Sequence, residues 1–192
     1  VTAFKHGFLG FPKPAGLFPG QGLAPLRTMI ASQHAALDFV NDITDEFDSY
    51  LLTMEMIAPV TDNVNLVARV SNNNGATFQA GTEYYYGRVD NDTAAAGTVT
   101  GVGAGAISLF SLASNIGNAL GRSVSGWLWF TRHANASFFC CYSTVWLTTG
   151  GSVEQGHGGA FAGVSGMNGL RLTMDSGVIA SGIARLYGMK KP

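Results

Sequence analysis

The sequence predicts an all-β fold: an antiparallel β-sandwich, jelly-roll-like, behind an extended N-terminal arm. Three observations lead there. Short runs of alternating apolar and polar residues recur between turn signals every ~8–15 residues, the pattern of a sandwich or barrel. The one stretch with a helical rhythm, Ile107–Leu120, carries Gly117 and several Ser and Asn residues that disfavour a helix. The chain also closes on a strand in which Ile183, Arg185 and Tyr187 fall on one face and Ala184 and Leu186 on the other. A closing strand must pair its backbone groups, so the C-terminal segment is expected inside a sheet.

Residues 1–24 read as the arm. Phe4, Phe8, Phe11 and Phe18 stand among Gly7, Gly10, Pro12, Pro14, Gly16, Pro19, Gly20 and Gly22, which forbid a regular element. Aromatic side chains on an extended strap want a surface to lie on, in their own domain or a neighbour's. Residues 25–192 then form the sandwich domain. Leu26–Gln33 and Ala36–Val40 are expected to pair with each other. Tyr50–Ile57 sets Tyr50, Leu52, Met54 and Met56 on an apolar face, and Val64–Val70 sets Val64, Leu66, Ala68 and Val70 inward.

Phe78–Val89 has strand propensity through Tyr84-Tyr85-Tyr86. Residues 90–97 read as a loop and Thr98–Gly105 as a flexible, Gly-spaced stretch. Further strands are expected at Ala106–Leu112, Ser123–Thr131 and Phe138–Leu147, with a turn at Asn115–Gly121. Glycines 150, 151, 156, 158 and 159 mark a loop, Phe161–Val164 a connector, and Gly169–Met174 and Ile179–Tyr187 finish the sheet. That makes eight or nine strands in all.

At 192 residues with 12% charged side chains, the surface has about half the usual ~25% charge. With 46% apolar residues, part of that surface is expected to be covered by neighbouring subunits. A net charge of −1 supplies no footprint for nucleic acid. No apolar run reaches the ~18 residues of a membrane span, and the N-terminus shows no hydrophobic signal region. Cys140 and Cys141 are adjacent, a poor geometry for a mutual disulfide, so no disulfide framework is implied.

Sites for chemistry are sparse. His6, His34, His133 and His157 have no zinc-ligand spacing. Asp42, Asp45, Glu46 and Asp48 form an acidic turn without the alternating ligands of a calcium loop. A glycan hydrolase would need two of these carboxylates in one cleft, roughly 5–9.5 Å apart. Gly101–Gly105 lacks the Lys of a phosphate-binding loop, and no nucleophile elbow is present. The sequons at Asn91 and Asn135 read as incidental. Trp127, Trp129 and Trp146, with Tyr84–Tyr86, could offer stacking platforms for sugar rings, although strand aromatics are more often core.

Ser71-Asn72-Asn73-Asn74-Gly75-Ala76-Thr77-Phe78 resembles the Asp-box S-x-D-x-G-x-T-W of sialidases and other β-proteins, with Asn73 for Asp and Phe78 for Trp. Asn-Gly favours the positive φ of a tight hairpin, so the motif is a turn device.

Four segments taken together resemble a group of small virion proteins of tailed bacteriophages and prophages. They are Ala3-Phe4-Lys5-His6-Gly7, the stretch Tyr50–Phe78, Gly117-Asn118 with Ser125-Gly126, and Gly177–Gly182 with Arg185-Leu186-Tyr187-Gly188. The resemblance implies a non-enzymatic β-rich building block of the phage particle, assembled in the bacterial host cytoplasm and without cofactors or metals. A tail-fibre, receptor-binding or tail-associated role is the first expectation, and capsid decoration the alternative. Such proteins are symmetric, often homotrimeric, and bind other virion proteins, with a host surface glycan or receptor as a further partner. Neither nucleic acid nor membrane insertion is implied. On this reading Phe4, Phe8, Phe11 and Phe18 anchor the arm to the particle or to neighbouring subunits. A carbohydrate-binding β-sandwich using Trp127, Trp129 and Trp146 is the second alternative.

Overall fold

The computed structural model describes residues 22–80, 84–92, 95–102, 110–132, 138–149, 151–162 and 166–190, with backbone alone for 85–92, 95–102, 110–111, 114, 138–149, 151–162 and 190. Its strands are β1 (Leu23–His34), β2 (Ala36–Val40), β3 (Phe47–Pro59), β4 (Val64–Ser71), β5 (Tyr84–Asp92) and β6 (Ala95–Val102). They continue with β7 (Phe110–Ile116), β8 (Val124–Thr131), β9 (Phe138–Thr149), β10 (Gly151–Ala162), β11 (Gly169–Met174) and β12 (Ile179–Lys190). There is no helix among the described residues.

All pairing is antiparallel, in an eight-stranded sheet ordered β1-β12-β3-β8-β9-β10-β5-β6 and a four-stranded sheet ordered β2-β11-β4-β7. The two sheets pack face to face as a β-sandwich. Along the chain β1, β3, β8 and β12 go to the larger sheet and β2, β4, β7 and β11 to the smaller one. The hairpins β5–β6 and β9–β10 widen the larger sheet beyond β8.

Alternation builds the core. Tyr50, Leu52 and Met54 of β3, Leu128 and Phe130 of β8, and Ala184 and Leu186 of β12 are buried from the larger sheet. Leu37 and Phe39 of β2, Leu170 and Leu172 of β11, and Leu66, Ala68 and Val70 of β4 meet them from the smaller one. Tyr50 stacks on Phe130 at 5.2 Å between ring centroids and receives the edge of Phe47 at 5.9 Å. The Tyr50 hydroxyl donates to the Thr44 carbonyl at 2.6 Å and accepts from the Thr44 amide at 2.8 Å, which satisfies a polar group inside the core.

Several expectations are corrected. β1 and β2 do not pair with each other: β1 joins β12 and β2 joins β11, so the chain changes sheets around Ala35. Met56 is not part of the inward face; it is 67% exposed. From Met54 to Ile57 β3 advances three residues while β8 advances two, from Gly126 to Val124, and this bulge turns Met56 outward with φ 51°. The Gly-rich stretch after residue 150 is a strand, β10, held on both sides by β9 and β5. Of the stretch expected as loop and flexible segment, 90–92 belong to β5 and 95–102 to β6, while 93–94 and 103–105 lie outside the described residues. Phe78–Ala80 lies outside any strand, β7 spans Phe110–Ile116 while 106–109 lie outside the described residues, and the described residues hold twelve strands. β1 begins at Leu23, inside the segment expected to be arm. Phe4, Phe8, Phe11 and Phe18 lie outside the described residues.

Candidate functional site

The outer face of the eight-stranded sheet is the surface that the strand pattern prepares for contact. Register places Pro25, Tyr187, Leu51 and Trp129 in one cross-strand row, and Thr28, Arg185, Thr53 and Trp127 in the next. Residues opposite one another on one face of a sheet touch through their side chains. Leu51, Thr53, Trp127, Trp129, Ile183, Arg185 and Tyr187 are all half-buried. Trp127 and Trp129 therefore share a face about 7 Å apart along β8. Trp146 takes the backbone position opposite Ser125 in the neighbouring strand, and its side chain lies outside the described residues. Arg185 Nη1 contacts Glu55 Oε1, neutralising the charge near this face.

The acidic turn is tied to arginines one carboxylate at a time. Arg27 Nε lies 2.6 Å from Asp42 Oδ2. Arg132 contacts Asp45 through Nη1, while its Nε donates to the Met167 carbonyl at 2.7 Å. Glu46 and Asp48 each make an interaction of their own. No group of His, Cys, Asp and Glu that could hold a metal ion occurs among the described residues. His34 accepts from the Ser32 amide at 2.9 Å; His6, His133 and the His157 side chain are outside the described residues.

The Asp-box-like segment closes as its residues demand. Asn73 Oδ1 accepts from the Thr77 amide at 2.9 Å, and its Nδ2 donates to Thr77 Oγ1 at 2.8 Å. Ser71 Oγ accepts from the amides of Asn73 and Gly75 at 3.2 and 3.0 Å. Asn74 and Gly75 have φ of 54° and 80°, the left-handed values anticipated for Asn-Gly. Behind the turn, Arg171 lies 4.0 Å over the Phe78 ring and donates two hydrogen bonds of 2.7 Å to Asp38.

A second surface feature was not foreseen. A cleft of about 500 Å³ opens between the bulge of β3 at Glu55 and Met56, the β7–β8 turn at Asn118–Ser123, and Ala180–Ile183 of β12. Met56 is 67% exposed and Leu120, at the apex of the turn, is fully exposed. An apolar residue inside a predicted turn was the only sequence signal for it. The bulge, which cannot be read from a two-residue period, supplies the opposite wall.

Compared with known proteins, the chain matches no family model, no curated protein and no solved structure.

Proposed function

We propose that the chain is a non-enzymatic structural component of a tailed-phage virion, a tail-fibre, receptor-binding or other tail-associated protein. It works by presenting sheet faces and an N-terminal arm to copies of itself and to companion virion proteins. One observation carries this reading: the outer face of the eight-stranded sheet, with Leu51, Trp127, Trp129, Ile183 and Tyr187 half-buried in adjoining rows around the Arg185–Glu55 ion pair. Aromatic anchors beside a paired arginine are the composition of an interface core. The engagement of Asp42 and Asp45 by separate arginines supports the non-enzymatic part.

Phe4, Phe8, Phe11 and Phe18 are the proposed arm anchors. The test is incorporation into particles, comparing wild type with a deletion of residues 1–21 and with Trp129→Ser. Loss of incorporation in either variant, with an unchanged melting temperature, supports the reading. Full incorporation of both overturns it. Capsid decoration uses the same surfaces, and labelling the chain in intact particles separates head from tail.

A second reading, glycan binding, is favoured by the half-exposed neighbours Trp127 and Trp129 on a single face. Stacking of sugar rings on the indole faces would use that geometry. Glycan-array binding that disappears in Trp127→Ala and Trp129→Ala supports it; equal binding by these variants removes it.

A further inference from the structure

Exposed large apolar side chains are few among the described residues: Leu23, Ile30, Met56, Val60 and Leu120. Four of them gather at one corner. Met56 and Leu120 line the cleft, Val60 follows its lining residue Pro59, and Ile30 pairs across the strands with its lining residue Ile183. Clustered exposure of this kind marks a contact surface.

The corner carries a projection and a recess side by side. Leu120 stands at the apex of a turn held by Arg122 N donating to the Ala119 carbonyl at 3.0 Å. The turn is pinned to the β3–β4 connection, because the Asn118 amide donates to Asp62 Oδ1 at 3.0 Å and Asn118 Nδ2 to the Val60 carbonyl at 2.8 Å. A fixed turn presents Leu120 without further ordering cost on binding. The recess beside it is walled by Met56, Ala58, Pro59, Ala180 and Ile183.

Charge on the rim is self-complementary. The Arg122 guanidinium makes no hydrogen bond or ion pair among the described residues and packs over Gly117. Across the cleft, the Glu55 side chain is 54% exposed and is met by Arg185 at Oε1 alone. A patch that holds a knob, a hole, a cation and an anion on one rim fits its own copy about a twofold axis.

We infer that a second copy of this chain occupies the cleft in an isologous pair, Leu120 of each entering the recess of the other and Arg122 facing Glu55. This inference rests on the self-assembly reading above and adds its twofold geometry. Wild type, Leu120→Asp, Trp129→Ser, Arg122→Glu, Glu55→Lys and an equimolar mixture of the last two are compared by sedimentation velocity, with far-UV circular dichroism to confirm folding.

The expected result is a wild-type dimer, or a higher even-numbered oligomer, whose dissociation constant rises at least about 100-fold in Leu120→Asp, because the twofold axis removes two buried leucines at once. Arg122→Glu and Glu55→Lys alone should weaken the pair and their mixture should restore it. A wild-type oligomer untouched by Leu120→Asp but dissolved by Trp129→Ser overturns the inference and leaves the self-assembly reading standing. A trimer, or a mixture that fails to restore association, also overturns it. A wild type monomeric at every concentration overturns both.

Discussion

A Cβ placed on Gly182 would stand 2.7 Å from the Cα of Ile57, closer than a side chain can approach backbone. The contact arises where β3 bulges between β12 and β8. Gly182 has φ +128°, a conformation that L residues rarely adopt, and the Met56 carbonyl oxygen lies 2.8 Å from the same Cβ position. Gly182→Ala therefore adds backbone strain and displaces a neighbouring main chain. The expected cost is about 2–4 kcal/mol, which lowers Tm by roughly 5–15 °C in a domain of this size. A thermal melt within a degree or two of wild type would show that the bulge moves freely.

This bulge also marks where local pattern stops informing. The faces of β12 were legible: Ala184 and Leu186 are buried while Ile183, Arg185 and Tyr187 are half-buried. So were Tyr50, Leu52 and Met54, because inward residues repeat every second position wherever the strand is regular. One inserted residue reverses that phase, and Met56 emerges on the outside. Partner choice was equally invisible. Alternation tells which face of a strand is buried but not which neighbour completes its hydrogen bonds, so β1 and β2 were expected together and lie in different sheets.

Glycine content misled at β10, where low propensity signals a loop but pairing with β9 and β5 satisfies the backbone on both edges. The shared face of Trp127 and Trp129 follows from their spacing alone. The cleft does not, since its walls come from segments around residues 55, 120 and 180 that only the fold brings together.

Asn73 tests the turn chemistry. Its side chain bonds Thr77 twice and shares a 2.8 Å contact with Ser71 Oγ, so replacing it with Leu strands several polar groups. Asn73→Leu is expected to cost about 1–3 kcal/mol. Asn73→Asp keeps the acceptor and lets Thr77 Oγ1 become the donor, so its stability should stay within about 0.5 kcal/mol of wild type. Urea unfolding of both variants checks the pair, and equal losses would show that the turn does not depend on the acceptor.

Tyr50 sets a stability limit at alkaline pH. Burial raises its pKa above the ordinary value of 10.0, partly offset by the hydrogen bonds with Thr44, while Glu46 and Asp48 push in the same direction as burial. The unfolded chain therefore releases this proton first. The contribution is complete below the unfolded value near 10 and is lost as pH climbs through the folded value. Denaturant midpoints measured from about pH 8 to 12 should fall on the alkaline side, and Tyr50→Phe should flatten that limb. The same substitution removes the bonds to Thr44 and costs about 1 kcal/mol at neutral pH. An unchanged alkaline slope in Tyr50→Phe would assign the effect to other groups.

The acidic turn separates a structural from a hydrolytic role. Asp42 is 13% exposed and faces Arg27, itself 39% exposed, at 2.6 Å; the contact is an ion pair without an aligned hydrogen bond to Oδ2. Asp45 is 75% exposed against a nearly buried Arg132, whose amide also donates to the Asp48 carbonyl at 3.3 Å. A hydrolytic pair needs two carboxyl groups on one bond, one of them free to donate a proton. Here each carboxylate fixes its own arginine. Asp42→Asn should cost about 1–2 kcal/mol, and Asp45→Asn less than about 1 kcal/mol because solvent screens that pair. Arg132→Ala should cost more, about 2–3 kcal/mol, since the Met167 carbonyl loses its donor as well. Wild type and both Asn variants should release no sugar from surface glycans. Release by wild type that vanishes in Asp42→Asn and Asp45→Asn, without loss of stability, would make the turn catalytic.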